Sequence, residues 1–269
     1  MSQQAPRILI FDSGVGGLSI VEAIMQQHPN CSVIYASDNE AFPYGIKKES
    51  VLVDRVDRVL HQLQSISRAD IIVVACNTAS TVVLPKIRER FSLPIIGVVP
   101  AIKPAAKVSP NKIIGLLATP GTIERSYTHE LINKFASDCH IVSVGSSELV
   151  SIAEDKLRGK PIDIEQLKQI VSPLLAQPKL DTVVLACTHF PLLKKELIPI
   201  LPKVSHWVDS GDAIARRTGY WLSELSLPTE NSEKPIHSSV FTAQTNEVKQ
   251  LTQTLTERQL GNIQFVSVL

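Results

Sequence analysis

Two cysteines, Cys76 and Cys187, end the two copies of a short internal repeat. Residues 70–76 read DIIVVAC and residues 181–187 read DTVVLAC, so each copy is an aspartate, an apolar run and Ala-Cys. A lone cysteine most often packs as a small hydrophobic residue, but polar residues follow both cysteines here, Asn-Thr in one copy and Thr-His in the other. If the copies belong to two facing halves, one thiol approaches a ligand from each side.

Opposed thiols suit the inversion of a carbon centre by proton transfer. A single base returns a proton to the face it came from unless something moves, whereas two bases can remove it from one face and deliver it to the other. The reference pKa of a thiol, about 8.5, allows one partner to be a thiolate while the other is protonated. Asp12, at an earlier strand end, and His189, two residues after Cys187, are candidates to tune the pair.

Two other functions remain open for these residues. In a dithiol redox protein, Cys76 and Cys187 would form a reversible disulfide, which requires Cα atoms within about 7 Å of each other. In a metabolite-binding module without catalysis, the second thiol would have no explanation. We therefore favour two-base proton transfer.

A glycine-rich turn follows the first predicted strand. Residues 13–19 read SGVGGLS, which offers backbone N–H groups and a helix N-terminus to an anion. Ser19 stands where a dinucleotide fingerprint needs its third glycine, and the turn lacks the Gly-Lys-Ser/Thr of a P-loop. The turn is interpreted as a site for a carboxylate or phosphate, with a tight turn before a packed helix as the alternative.

The strand ends that carry these residues belong to an α/β pattern. Short β-branched runs alternate with amphipathic helical stretches, which is typical of βαβ units and a mainly parallel sheet. Ligands of such sheets bind beyond the carboxyl ends of the strands. Strands are predicted at residues 7–11, 32–36, 71–75, 95–98, 112–117, 141–144, 182–186, 206–208, 239–242 and 263–268. Helices are predicted most clearly at residues 18–27, 48–65, 122–135, 164–176, 212–225 and 246–260.

The internal repeat predicts two similar domains. A chain of 269 residues with 44% hydrophobic residues can form two cores, and proline-rich segments at 94–104 and 202–209 mark the boundaries. We expect a first α/β domain over residues 1–98 plus 208–269, carrying Cys76, and a second over 99–207, carrying Cys187. Each is expected to be a mainly parallel sheet flanked by helices, related to the other by pseudo-twofold duplication, with the active site in the cleft between them.

Composition and charge exclude several classes of protein. The formal net charge is +1, from 27 Lys and Arg against 26 Asp and Glu, and the two signs are interspersed, which argues against a nucleic-acid or membrane surface. No apolar run approaches the roughly 20 residues of a membrane span. The polar residues 1–6 lack the features of a signal peptide, and the four cysteines have no zinc-ligand spacing. We expect a cytoplasmic protein without a bound metal.

Six motifs follow one another along the chain: IFDSGVGG at 10–17, Asp38 with PYG at 43–45, ACNTAS at 75–80, ATPGT at 118–122, CTHFPLL at 187–193 and VDSG at 208–211. Together they resemble those of the glutamate racemases, within the cofactor-independent amino-acid racemase superfamily. Aspartate and hydantoin racemases share the paired cysteines, but the Asp-Ser-Gly start and the His after Cys-Thr are more similar to the glutamate branch.

The resemblance implies interconversion of L- and D-glutamate without pyridoxal phosphate or a metal, supplying D-glutamate for bacterial peptidoglycan. It implies that Cys76 deprotonates D-glutamate with the assistance of Asp12, and that Cys187 deprotonates L-glutamate with the assistance of His189. A racemase or isomerase acting on aspartate or another small acid is the alternative within the superfamily. The family often forms dimers, so a homodimer is the assembly to consider.

The resemblance also implies a set of substrate contacts that are neutral hydroxyl, amide and backbone groups. Glu154 aligns with an acidic residue near the second thiol and is a candidate auxiliary residue, although the Cys-Pro that precedes it in many members is Gly145-Ser146 here. The implied contacts are Ser13, Pro43, Tyr44, Gly45, Asn77, Thr78, Thr119, Thr122 and Thr188.

Overall fold

The computed structural model describes residues 4–228 and 233–268, so residues 1–3 of the polar N-terminal stretch lie outside the described part. Strands and helices alternate along the chain as the sequence predicts. The strands are β1 (Arg7–Asp12), β2 (Ser32–Ser37), β3 (Ile71–Val74), β4 (Ile95–Gly97), β5 (Ile113–Ala118), β6 (His140–Gly145), β7 (Thr182–Leu185), β8 (His206–Val208), β9 (Ser238–Phe241) and β10 (Ile263–Phe265).

The helices connect these strands on both faces of the sheets. They are α1 (Leu18–Gln27), α2 (Glu49–Ser67), α3 (Asn77–Arg88), α4 (Ile102–Val108), α5 (Pro120–Glu124), α6 (Ser126–Phe135), α7 (Glu148–Leu157), α8 (Ile164–Ile170), α9 (Ser172–Leu175), α10 (Lys194–Ile200), α11 (Gly211–Glu224), α12 (Asn246–Gln250) and α13 (Thr252–Glu257). Short 3₁₀ turns cover Asn39–Ala41, Tyr44–Ile46 and Phe190–Leu193.

The described residues form two parallel sheets, and the fold is α/β. The first sheet has the strand order β10-β9-β2-β1-β3-β4, and the second has the order β6-β5-β7-β8. All of the paired strands in both sheets run parallel. Parallel sheets are covered by helices on both faces, which explains why their strands read as continuous apolar runs.

The central strand of the first sheet shows how both faces are buried. Ile8 and Ile10 belong to the cluster that contains the buried residues of α1 and α11. Leu9 and Phe11 point the other way, into the cluster that contains those of α2 and α3. All four are fully buried, so the two-residue periodicity of a strand supplies both layers of this core.

The chain returns to the first sheet after β8. Helix α11 packs against α1, where Ile214 and Leu222 share a buried cluster with Ile20 and Ile24. Strand β9 then pairs with β2, and β10 pairs with β9. The residues after β8 therefore complete the sheet that the N-terminal residues begin.

The two cysteines follow equivalent strands of the two sheets. Strand β3 pairs with β1, and β7 pairs with β5. In each sheet the residue before the cysteine extends this pairing, because the backbone N–H of Ala75 donates to Phe11 O at 2.7 Å and that of Ala186 donates to Leu117 O at 2.7 Å. Cys76 and Cys187 thus stand at matching strand ends.

Within the described residues, no helix combines the length and apolar character needed to cross a membrane.

Candidate active site

Cys76 and Cys187 line one cleft between the two sheets. Both are free cysteines and are buried, with 6% and 7% of their surface exposed. The cleft lies beyond the carboxyl ends of β3 and β7, the position at which parallel sheets bind ligands. The matching strand ends therefore bring the two thiols to one site.

Cys76 is held at the N-terminus of α3. Its extended backbone makes it the N-cap residue, and its sulfur accepts from the Ala79 N–H at 3.5 Å. The hydroxyl of Ser13 lies 3.9 Å from the same sulfur. Burial and the nearby charge of Asp12 raise the pKa of Cys76 well above its usual value, which favours the protonated thiol at this position.

Asp12, which lies near Cys76, forms a hydrogen bond with Thr188, the residue after Cys187. The carboxylate is fully buried at the end of β1, where Oδ1 accepts from the Ser13 N–H at 2.7 Å and Oδ2 accepts from Thr188 Oγ1 at 3.1 Å. Burial raises its pKa, opposed by the charge of His189 and by these hydrogen bonds. A carboxyl whose pKa is raised in this way can exchange a proton more readily near neutral pH.

Cys187 has a different set of neighbours. His189 Nδ1 lies 3.7 Å from Cys187 Sγ, and His189 Nε2 donates to Glu154 Oε1 at 2.9 Å. Burial lowers the pKa of His189, but its hydrogen bonds to Cys187 and Glu154 outweigh this and leave the pKa well above its ordinary value. A protonated imidazole beside a sulfur favours the thiolate.

The carboxylate of Glu154 remains charged although it is buried. Burial raises its pKa, while the hydrogen bond and charge of His189, the Val15 N–H and Arg158 lower it, with a net decrease. The Val15 N–H donates to Glu154 Oε1 at 2.7 Å. The Val15 N–H of the glycine-rich turn thus binds a carboxylate of the protein itself, and the ligand anion expected at this turn stays a prediction.

The glycines of this turn allow the close approach of the second half. A Cβ added at Gly16 would lie 2.4 Å from His189 Nδ1 and 2.7 Å from Thr188 Oγ1, and one at Gly14 would lie 2.3 Å from Glu154 Oε1. None of these three distances is compatible with a real side chain. The turn is therefore glycine-rich because His189 and Glu154 pack against its backbone.

Most of the implied substrate contacts line the cleft. The contacts that line it present neutral hydroxyl, amide or backbone groups, and they are Ser13, Pro43, Tyr44, Gly45, Asn77, Thr78, Thr119 and Thr188. The four residues considered for catalysis also line the cleft, and they are Asp12, Cys76, Cys187 and His189.

Thr122 and Glu154 do not line the cleft, but each contacts a residue that does. Thr122 is fully buried, with its hydroxyl 2.9 Å from that of Thr119. Glu154 lines a neighbouring cavity and reaches the cleft through His189. Both are placed to orient residues that line the cleft.

Five further residues line the cleft although the sequence analysis does not predict them. Phe42 and Ile46 flank the Pro43-Tyr44-Gly45 turn, and their position beside it is the signal that could have identified them. Ser147, Val150 and Ser151 lie at the start of α7, just beyond the carboxyl end of β6. The general position of ligands at such strand ends could have identified this group.

A buried carboxylate fixes the Pro43-Tyr44-Gly45 turn. Asp38 accepts from the Tyr44 hydroxyl at 2.6 Å, from Thr242 Oγ1 at 2.8 Å, and from Arg55 Nε and Nη2 at 2.9 and 2.6 Å. The bidentate contact with Arg55 compensates for burying the charge. Tyr44 is thereby held on the first half, while its neighbour Gly45 faces the second, where an added Cβ would lie 3.4 Å from the Cβ of Thr119.

In the part of the chain that the structure describes, no group of three or more His, Cys, Asp or Glu is arranged to hold a metal ion.

Comparison with known proteins places this geometry in a family. A family model described as Asp/Glu/Hydantoin racemase matches residues 18–218. The chain is 53% identical over 230 residues to the glutamate racemase of Pectobacterium carotovorum subsp. carotovorum (strain PC1), which covers 85% of this chain and 81% of that protein.

Solved structures agree with this similarity. The structure of Escherichia coli glutamate racemase in complex with L-glutamate and the activator UDP-MurNAc-Ala superposes with a TM-score of 0.93 at 47% identity, covering 98% of this chain and 99% of that one. The structure of glutamate racemase from Francisella tularensis subsp. tularensis SCHU S4 in complex with D-glutamate gives a TM-score of 0.81 at 25% identity, covering 98% of each chain.

Proposed function

Because the chain belongs to the Asp/Glu/hydantoin racemase family, we propose that Cys76 and Cys187 are the two bases of its reaction, one on each face of the substrate α-carbon. The chain is an isomerase that interconverts L- and D-glutamate, the activity that supplies D-glutamate for peptidoglycan. The observation that carries the two-base assignment is the pair of free, buried thiols lining one cleft from matching strand ends.

In the direction from L- to D-glutamate, the Cys187 thiolate removes the α-proton. The Cys76 thiol then donates its own proton to the opposite face, so that Cys187 ends protonated and Cys76 ends as the thiolate. The reverse reaction exchanges these roles. The raised pKa of Cys76 and the protonated His189 beside Cys187 support this starting arrangement.

The neighbours of each thiol assist different transfers. Asp12 lies close enough to Cys76 for its charge to raise the pKa of that thiol, so it assists at Cys76. His189 is 3.7 Å from Cys187 and assists there. Glu154 is the auxiliary residue that holds His189 through its 2.9 Å hydrogen bond.

Neutral donors in the cleft bind the two substrate carboxylates and stabilise the carbanion. Among the described residues, the Nδ2 of Asn77 is a buried atom without a hydrogen-bond partner, and it is available to the substrate. The hydroxyls of Ser13, Thr78, Thr119 and Thr188 line the same space. Preorganised neutral donors stabilise developing negative charge without adding a cation that would disturb the balance between the thiols.

The division of the chain follows from which strands share a sheet. We propose a first domain over residues 1–98 plus 208–269 and a second over 99–207, because β1 to β4, β9 and β10 form one sheet and β5 to β8 form the other. Val208, the last residue of β8, stands at the boundary and pairs with the second sheet. We also propose that the protein forms a homodimer and is located in the cytoplasm. Light scattering at several concentrations, with and without glutamate, tests the assembly.

Proton exchange in deuterated water tests the function. Dialysed protein is incubated with L-glutamate without added cofactor, while the optical signal and the Cα proton are followed by polarimetry and NMR. Two-base racemisation predicts decay of the optical signal toward zero together with loss of the Cα proton. Activity with aspartate but none with glutamate would instead indicate the sister branch of the family.

A further inference from the structure

Arg158 stands at one end of a line of polar contacts that leads to the Cys187 thiol. It follows the last residue of α7, and its Nη2 donates to Glu154 Oε2 at 2.6 Å. The other oxygen of Glu154 accepts from His189 Nε2 at 2.9 Å, and His189 Nδ1 lies 3.7 Å from Cys187 Sγ. Three contacts in series therefore connect Arg158 to one of the two thiols.

We propose that Arg158 is a positioning residue for proton transfer at Cys187, acting through Glu154 and His189, and that it has no corresponding role in the transfer at Cys76. The inference rests on the proposed function, because it assumes that the two thiols act on opposite faces of the substrate. It concerns a residue that does not line the substrate cleft.

Three donors fix the orientation of the Glu154 carboxylate. Oε1 accepts from His189 and from the Val15 N–H, and Oε2 accepts from Arg158. Glu154 and Arg158 expose only 4% and 16% of their side chains. Because both groups are largely withdrawn from water, removing the cation would leave a buried carboxylate with weaker compensation.

The charge of Arg158 helps to keep the shared proton on His189. Burial favours a neutral Glu154, whereas His189, Val15 and Arg158 lower its pKa. Without the guanidinium, Glu154 would compete more effectively for the proton that it shares with His189. The imidazole would then be neutral more often and would support the Cys187 thiolate less strongly.

The guanidinium of Arg158 lies closer to Glu154 than to Asp155, its other ion-pair partner on α7. The backbone N–H of Arg158 already caps α7, and Nη1 lies 3.4 Å from Asp155 Oδ1, while its charge also acts on Glu247. Among the described residues, the Nε of Arg158 is a buried atom without a partner. An unsatisfied buried N–H is unfavourable, and the side-chain conformation that leaves Nε unpaired is the one that brings Nη2 to Glu154 Oε2 at 2.6 Å.

Isotope effects measured in both directions test the proposal. The deuterium of 2-deuterio-L-glutamate is removed by Cys187, and that of 2-deuterio-D-glutamate by Cys76. For Arg158→Gln, we expect kcat/KM to fall about 10-fold, the scale of one charge-assisted hydrogen bond. The primary isotope effect on kcat/KM should rise with the L substrate and decrease toward one with the D substrate, because the Cys187 step alone becomes slower.

Two further variants separate positioning from folding. Lys160→Gln removes a cation from the same helix end, where Lys160 pairs with Asp155 at 2.9 Å, and should leave both isotope effects at their wild-type values. Arg158→Lys retains the charge and should recover much of the lost kcat/KM. Thermal unfolding of each variant establishes that the compared proteins are folded at the assay temperature.

A double-variant cycle tests whether Arg158 acts through Glu154. In the Glu154→Gln background, Arg158→Gln should have little further effect on kcat/KM or on the isotope effects. An undiminished effect in that background, or equal changes of both isotope effects, would overturn the inference. If the wild-type protein itself failed to racemise glutamate, the proposed function would fail instead, so the two failures are distinguishable.

Discussion

The backbone N–H of Val15 donates to Glu154 Oε1 at 2.7 Å and thereby joins the turn after β1 to helix α7. Glu154 Oε1 also accepts from His189 Nε2. One carboxylate oxygen consequently connects the first half of the molecule with the residue that supports Cys187. The geometry around Cys187 depends on both halves, although the thiol and its imidazole belong to the second.

The close approach at Gly16 predicts a selective loss of activity. In Gly16→Ala, the new methyl group would overlap His189 Nδ1, at 2.4 Å from the added Cβ, and would displace the imidazole from Cys187. We expect kcat/KM to decrease at least about 100-fold, as displacement of a catalytic group by about 1 Å does. Initial rates followed by circular dichroism measure the effect.

Gly159→Ala provides the matched control for this prediction. Gly159 has a φ of +82° and an added Cβ has open space around it, so alanine introduces backbone strain without a clash. The free energy of unfolding should fall by about 1 kcal/mol, with a far smaller decrease in kcat/KM than in Gly16→Ala. Equal activity losses in the two alanine variants would contradict the proposed packing role of Gly16.

Loss of either cleft thiol should abolish racemisation. Cys76→Ser and Cys187→Ser each replace one base by a hydroxyl of much higher pKa, so we expect kcat to fall at least about 1,000-fold. Polarimetry with each enantiomer measures the residual rate. Cys139→Ser alters a cysteine outside the cleft and should retain wild-type activity, whereas near wild-type activity in either cleft variant would contradict the two-base mechanism.

The raised pKa of His189 predicts a pH-dependent contribution to stability. Its hydrogen bonds to Cys187 and Glu154 outweigh the effect of burial and raise the pKa above the unfolded value, which is about 6.5. The resulting stabilisation is fully present below that value and is lost as the pH rises through the pKa of the folded state. Denaturant unfolding of wild type and His189→Asn across pH 5.5 to 9, about the range in which imidazoles titrate, should show a difference that shrinks with increasing pH. A constant difference would argue against this linkage.

The buried pair of Asp38 and Arg55 predicts a coupled effect on stability and substrate binding. Arg55→Gln leaves a fully buried carboxylate without its bidentate partner, which should cost about 3 kcal/mol of unfolding free energy. KM should rise because Tyr44, which also binds Asp38, helps to form the cleft. Urea unfolding and steady-state kinetics measure the two effects.

An exposed ion pair supplies the comparison for Arg55. Lys168 pairs with Glu165 at 2.6 Å on the surface of α8, and Lys168→Gln should change the free energy of unfolding by less than about 1 kcal/mol. Its KM should remain at the wild-type value. A similar loss of stability in both variants would indicate that burial does not distinguish the two pairs.

The positions of the strands could be predicted from the sequence because parallel strands buried on both faces read as unbroken apolar runs. Every predicted strand overlaps an observed one. The helix predicted at 122–135 is instead two helices, α5 and α6, separated by the extended backbone of Arg125. Val171 separates α8 from α9 and Leu251 separates α12 from α13 with backbone that is not extended, and the apolar periodicity continues across both positions and hides them.

The partners of the site residues were harder to predict than the residues themselves. The repeat identified Cys76 and Cys187, but the contact between Val15 and Glu154 joins residues 139 positions apart. Arg158 and Glu154 show the spacing of an ordinary surface ion pair on a helix. Only the packing of α7 under His189 distinguishes this pair from such a surface contact.

The backbone hydrogen bonds before the two cysteines match, from Ala75 to Phe11 in one half and from Ala186 to Leu117 in the other. The side chains around the two thiols, in contrast, differ. Enantiomers have equal free energies in water, so the equilibrium constant of racemisation is one and kcat/KM must be identical in both directions. A protein whose halves differ can still hold one enantiomer more tightly. Thermodynamics then requires that the more tightly held enantiomer, the one with the lower KM, is converted with a proportionally smaller kcat.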